Sequence, residues 1–207
     1  MNTTISQNAI DLILESEGID QPGRWPGGGS GITLGYGVDI GADPSGLEHW
    51  RGVLADSEIE TLKQAKGITG RAAQNIQSRF VGIKVSRSQA LKVFSELTLP
   101  TEIRKTLKAF PGIEFMPPEV LGAMVSLVYN RGTSIVGDRR REMRIISEIL
   151  AEFQTFTPEQ RAACQAEYIA KIAGQFRRMK RSWVGQGLDG LLVRRDREAD
   201  LILSAIK

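Results

Sequence analysis

The sequence is poor in the residues that most often announce a site. Its 207 residues hold one cysteine, Cys164, and one histidine, His49. A single cysteine excludes a disulfide scaffold. Together the two residues cannot supply a zinc-ligand pair. A Ser-His-Asp arrangement would have to use His49 as its base, and no G-x-S-x-G elbow is present. His49 reads as a loop or surface residue. Cys164 lies at helical spacing with Ala163, Ala166 and Tyr168, which reads as core. No EF-hand loop and no P-loop occurs, and Gly35-Tyr36-Gly37 lacks a third spaced glycine and a following helix. Neither a metal nor a cofactor is expected. No uncharged apolar run approaches the roughly 20 residues that span a bilayer, so no integral membrane segment is expected. The opening MNTTISQNAIDLILESEG has no basic leader and carries Asp11, Glu15 and Glu17, unlike a classical secretory signal. Synthesis in a cytoplasm is therefore expected. There is no repeat and no low-complexity tract.

What is present is ordinary soluble composition, with 41% hydrophobic and 25% charged residues. That content excludes intrinsic disorder. The net charge of +3 permits attraction to an anionic polymer without identifying one. Basic runs at 139–144, 177–181 and 194–197 read as solvated helix faces. They lack the interleaved aromatic residues of a nucleic-acid stacking platform, so no nucleic-acid partner is expected.

Glycine is concentrated. Eight of the 22 glycines fall between Gly23 and Gly41. Within that stretch Ile32, Leu34, Tyr36, Val38 and Ile40 alternate with Thr33, Gly35, Gly37 and Asp39, a period of two that predicts a strand or hairpin. The rest reads as helical. Residues 5–17 place Ile5, Ala9, Ile10, Ile13 and Leu14 on one face, with Ser6 as a cap. Short helices are predicted over 57–66, 86–97 (opened by Ser86 or Ser88) and 101–109. Pro117-Pro118 opens and Gly132 closes a helix whose apolar residues cover most of its circumference, which predicts a buried centre. Helices over 138–153, 158–181 and 190–206 follow. The expected fold is α+β, mostly α. A small β-containing lobe over about 18–60 packs on a helical lobe of about 61–207 plus the helix 5–17, with an intervening cleft suited to a ligand.

With metals and nucleophiles set aside, carboxylates remain. Glu17 ends the first predicted helix before Gly18, Asp39 ends the alternating segment, and Thr33 lies between them. Cleaving a glycosidic bond needs one protonated carboxyl for the leaving oxygen and a second group to place water or steady the cation. From spacing alone, a surface Glu17 and a turn-capping Asp39 are the favoured reading.

Three separated stretches resemble one family. ESEG followed by GITLGYGVDIG resembles the opening of phage-type lysozymes, SLVYNRG their central helix, and GLDGLLVRRDREADLIL their terminal helix. The order holds across residues 8–204. The usual family aspartate, about ten residues after the glutamate, is missing: Trp25, Pro26 and Gly27 stand there. Asp20, three residues past Glu17, is too close to serve in its place. An aspartate six residues after the threonine resembles the pesticin-like branch, which includes bacteriocins and lysozyme-like secretion effectors.

The resemblance implies a peptidoglycan muramidase acting on the β-1,4 bond from N-acetylmuramic acid to N-acetylglucosamine, with inversion. Glu17 would be the acid, with Thr33 and Asp39 placing water. Tyr36, Tyr129 and Asn130 would line the substrate, and Arg194 or Arg195 would reach the acid. Glu15 competes with Glu17, but two residues apart on a helix they point roughly opposite ways. The expected partner is the peptidoglycan glycan strand, reached in the periplasm after release or secretion. An immunity protein is expected as well if the chain is an effector, and the chain itself is expected to be a monomer. Two other classes stay open: a non-catalytic peptidoglycan binder on the same scaffold, and a basic nucleic-acid-binding helical protein. A lytic transglycosylase product also stays open.

Overall fold

The computed structural model describes residues 3–206. It is mostly helical with one small antiparallel sheet. The elements are α1 (Gln7–Glu17), β1 (Thr33–Leu34), β2 (Val38–Asp39), α2 (Asp56–Leu62), α3 (Gly70–Ile76), α4 (Arg87–Val93), α5 (Leu99–Ala109), α6 (Pro118–Arg131), α7 (Arg141–Gln154), α8 (Pro158–Arg178) and α9 (Asp189–Leu203). Among the described residues, no helix is long and apolar enough to cross a membrane.

The chain divides into two compact units. One joins residues 1–16 to residues 102–207, and the other is Glu17–Thr101. The division therefore falls at 101/102 and not near residue 60. Hydrogen bonds across the second unit show why. The Gln21 side-chain amide donates to the Val85 carbonyl and accepts from the Val85 N–H, both at 2.9 Å. The Trp25 N–H donates to Gln77 Oε1 at 2.7 Å, and the Gly70 N–H to the Ser30 carbonyl at 2.9 Å. The glycine-rich segment is thus tied to the region carrying α3 and α4, and residues 61–101 belong with it.

In the other unit, α6 is the buried axis. Every residue from Val120 to Val128 is buried. Pro118 lies in its first turn and Gly132 is its C-cap, with φ +71°, as the sequence predicts. Around it α9 packs on α6, α8 on α9 and α7 on α8. α1 buries Ala9, Leu12 and Ile13, so its inner face is rotated from the predicted one and takes in Leu12. Ser6 is not a side-chain cap: its hydroxyl is buried without a hydrogen-bond partner, while its carbonyl receives the N–H groups of Ala9 and Ile10.

In the Glu17–Thr101 unit, Ser86 caps α4, its hydroxyl accepting from the Gln89 N–H while the Gln89 side chain returns to the Ser86 N–H. Such a box is worth about 1 kcal/mol. His49 lies in a 3₁₀ turn, Pro44–Trp50, that the periodicity does not predict.

Candidate active site

The hairpin organises the Glu17–Thr101 unit. β1 and β2 pair antiparallel, with Thr33 opposite Asp39 and Leu34 opposite Val38. Gly35 makes the turn possible at φ +58°, a conformation L side chains resist. Directly opposed residues on an antiparallel pair share a face, so Thr33 and Asp39 lie together. Even spacing along one strand predicts the same outcome, but here it comes from pairing across a turn.

Asp39 is firmly held. Its Oδ2 accepts from the Gly31 N–H at 2.9 Å, and its Oδ1 accepts from the N–H groups of Gly41 and Ala42 at 3.0 and 2.9 Å. These three bonds make Asp39 the cap of the turn that follows β2. Gly31 must be glycine for this approach. A Cβ there would stand 2.4 Å from Asp39 Oδ1 and 2.5 Å from the Gly41 Cα. Gly31→Ala is expected to cost about 1–3 kcal/mol by overpacking, read as a lower urea midpoint with an unchanged slope.

Thr33 is 4% exposed, and its hydroxyl donates to the Gly31 carbonyl at a long 3.4 Å. Glu17 is the last residue of α1 and half-buried. Gly18 follows at φ +66° and ends the helix. The chain then turns back so that the Asp20 N–H donates to the Gly35 carbonyl at 2.7 Å and the Gly35 N–H to the Asp20 carbonyl at 2.9 Å. That two-way bridge pins Asp20 to the hairpin.

Asp20 shares the neighbourhood of Glu17 and Asp39. Partial burial, and then the charges of Glu17 and Asp39, push its carboxyl up to about 6, with Arg24 opposing. Three carboxyls therefore interact around one hairpin. Gly18 ends the helix between Glu17 and Asp20, so helical spacing does not fix the relation of their side chains.

The raised Asp20 makes stability depend on pH. The folded state holds this proton more tightly than the unfolded state, so raising pH disfavours folding. The loss develops between the unfolded value of 3.8 and about 6, and is constant above. In a sealed site it would reach about 3 kcal/mol. Solvent still reaches Asp20 and screens it, leaving about 1–2 kcal/mol. Asp20→Asn is therefore expected to stabilise the protein by about that amount at pH 7.5 and by nothing near pH 3.5, measured by urea unfolding at both values.

The other expected site residues are placed differently. Tyr36 is 5% exposed, its ring edge-on to Phe94 with centroids 5.7 Å apart. It packs the interior of its unit, so its ring is no platform for a sugar. Tyr129 is half-buried and Asn130 exposed at the C-terminal end of α6. Arg194 and Arg195 are both buried on α9 and both pair with Glu198. Arg194 also donates to the Ser126 carbonyl and hydroxyl, each at 3.1 Å. Within the 194–197 run, Arg194 and Arg195 therefore face the interior, while Arg197 stays exposed. Glu15 is exposed, and its carboxylate is bound by Arg197 at 2.5 Å. Among the described residues, no cluster of His, Cys, Asp or Glu has the arrangement to hold a metal ion. No protein-family model matches the chain, and no curated protein matches it significantly.

Proposed function

We propose that the protein is a peptidoglycan-degrading muramidase that hydrolyses the β-1,4 bond between N-acetylmuramic acid and N-acetylglucosamine. The observation that carries this reading is the gathering of Glu17, Asp20 and Asp39 around a hairpin that also bears Thr33. Partial burial, with the charges of Glu17 and Asp39 beside it, raises the proton affinity of Asp20 and so keeps a proton available closer to neutral pH, which leaving-group protonation requires. Glu17 is the acid by resemblance. Thr33 and Asp39, opposed on the ladder, hold the attacking water. Asp20 favours a variant of the same chemistry, in which the proton resides on Asp20 and Glu17 supplies the charge that keeps it there.

A second reading has its own support. The three backbone bonds to Asp39 are those of a structural cap, and a scaffold with Asp39 so occupied would bind glycan strands without cutting them. Digestion of purified peptidoglycan, followed by mass spectrometry of the muropeptides, separates these readings. Reducing N-acetylmuramic acid ends are expected. Anhydro ends would identify a lytic transglycosylase, and sedimentation with intact wall would identify a binder. The biological setting belongs to the same proposal: an endolysin, a bacteriocin or a secretion effector, the last with an immunity protein in its producer.

A further inference from the structure

A cavity of about 310 Å³ is lined by Asn130, Arg131, Arg139, Arg140, Trp183 and Leu191. All six belong to the unit containing α6–α9. Three of the six are arginines. Arg131, the last residue of α6, lays its guanidinium 4.6 Å over the Trp183 ring. Its Nη2 donates to the Arg139 carbonyl at 2.5 Å, while its Nη1 is buried without a hydrogen-bond partner. Arg140 stands at the N-cap of α7, at the positive end of that helix's dipole.

Among the described residues, none of these three arginines forms an ion pair with a carboxylate. The nearby acids are committed to Arg181, which binds Glu142 at 2.6 Å and Asp138 at 3.0 Å. Arg195, 5.9 Å from the Trp183 ring, is matched by Glu198. Burial, followed by the charges of Arg140 and Arg195, pulls Arg131 down to about 10 against the opposing pull of Glu142. Crowded guanidiniums with an orphaned donor are costly in an empty fold and useful around an anion.

We propose that this cavity binds a phosphate group carried by a small molecule or a larger anionic carrier. A phosphate presents two charges and three oxygens to guanidinium forks, where a carboxylate presents one charge and two oxygens. The volume exceeds that of a bare phosphate, and Trp183 and Leu191 offer an apolar wall to whatever bears it. The inference does not rest on the muramidase reading, since Glu17, Thr33 and Asp39 do not line the cavity; the two share only Asn130, which the resemblance would set against the substrate.

Inorganic pyrophosphate is the first probe, titrated calorimetrically into the full chain. Binding in the submillimolar range is expected, with a loss of at least tenfold in Arg131→Gln. Arg139 is exposed, so Arg139→Gln will fold even if Arg131→Gln does not, and a loss of severalfold is expected there. Malonate at matched ionic strength is expected to bind at least tenfold more weakly. Vesicles of phosphatidylcholine with and without phosphatidic acid form the last arm. Arg139-dependent binding only to the latter would identify a lipid headgroup as the source of the phosphate. Absence of pyrophosphate and phosphatidate binding, equal binding of malonate, or unchanged affinity in a folded Arg131→Gln or Arg139→Gln would overturn the proposal.

Discussion

Glu17→Gln is expected to lower the release of reducing ends from purified peptidoglycan by about 10²–10⁴-fold, the range that a positioned acid contributes. The amide keeps the shape of the side chain at the end of α1 and removes only its proton and charge. Folding is expected to survive, with a urea midpoint equal to or slightly above that of the wild type, because a repulsion felt by Asp20 is relieved. The variant also separates the two carboxyls. With Glu17 as the acid, Glu17→Gln is inactive at every pH, and Asp20→Asn retains activity with a shifted pH profile. With Asp20 as the proton carrier, Asp20→Asn is the inactive variant. Glu17→Gln then moves the basic limb of the profile to lower pH, since the charge that helped hold the Asp20 proton is gone. Wild-type rates in both variants would remove the muramidase proposal altogether. Asp39→Asn is a poorer test. The amide would present an N–H₂ group to a donor that Asp39 now receives, so lost activity there would follow from a disordered hairpin as readily as from lost chemistry.

How far the sequence could be read depends on whether the signal was local. Pro118, Gly132 and Ser86 act within one helical turn, so the limits of α6 and the start of α4 were legible. The hairpin was legible from its period of two, although each strand is only two residues long. α3 was missed because it opens on Gly70 at φ +60° and buries a single residue, Ala73, which leaves no apolar stripe. The division of the chain was misplaced because it rests on contacts such as Gln21 with Val85, 64 residues apart. Pairing across that distance leaves no mark in periodicity. Of the candidate site, the shared face of Thr33 and Asp39 could be anticipated, whereas the place of Asp20 beside the hairpin could not. Its proximity to the hairpin comes from the reversal at Gly18 and the bridge to Gly35. Tyr36, which the resemblance would set against the substrate, is interior, because an aromatic residue in a period-of-two segment faces the core as readily as solvent.

Glu198→Ala is expected to be strongly destabilising, costing about 3–5 kcal/mol of a total near 5–15. Glu198 and Arg195 are fully buried, and Arg194 is 6% exposed. Glu198 Oε1 accepts from the Ser126 hydroxyl at 2.6 Å, from Arg195 Nη2 at 2.9 Å and from Arg194 Nε at 3.3 Å, while Oε2 lies 2.9 Å from Arg195 Nε. Burial pushes the Glu198 carboxyl up, and the two guanidiniums pull against it. The carboxyl is thus costly to bury but indispensable once buried, because its removal leaves two cations facing each other in the interior beside α6. Glu198→Gln keeps the volume and the Ser126 contact, so it should cost less than Glu198→Ala. Replacing Arg194, Arg195 and Glu198 together with apolar residues of similar size should cost less than either, since no charge is then stranded. Urea unfolding of the three variants checks that order. A loss below about 1 kcal/mol in Glu198→Ala would mean that water or a rearranged side chain replaces the carboxylate, and that the triad does not hold α9 against α6. The same variants bear on the catalytic proposal. If Arg194 serves only this interior network, folded Glu198→Gln should digest peptidoglycan at the wild-type rate.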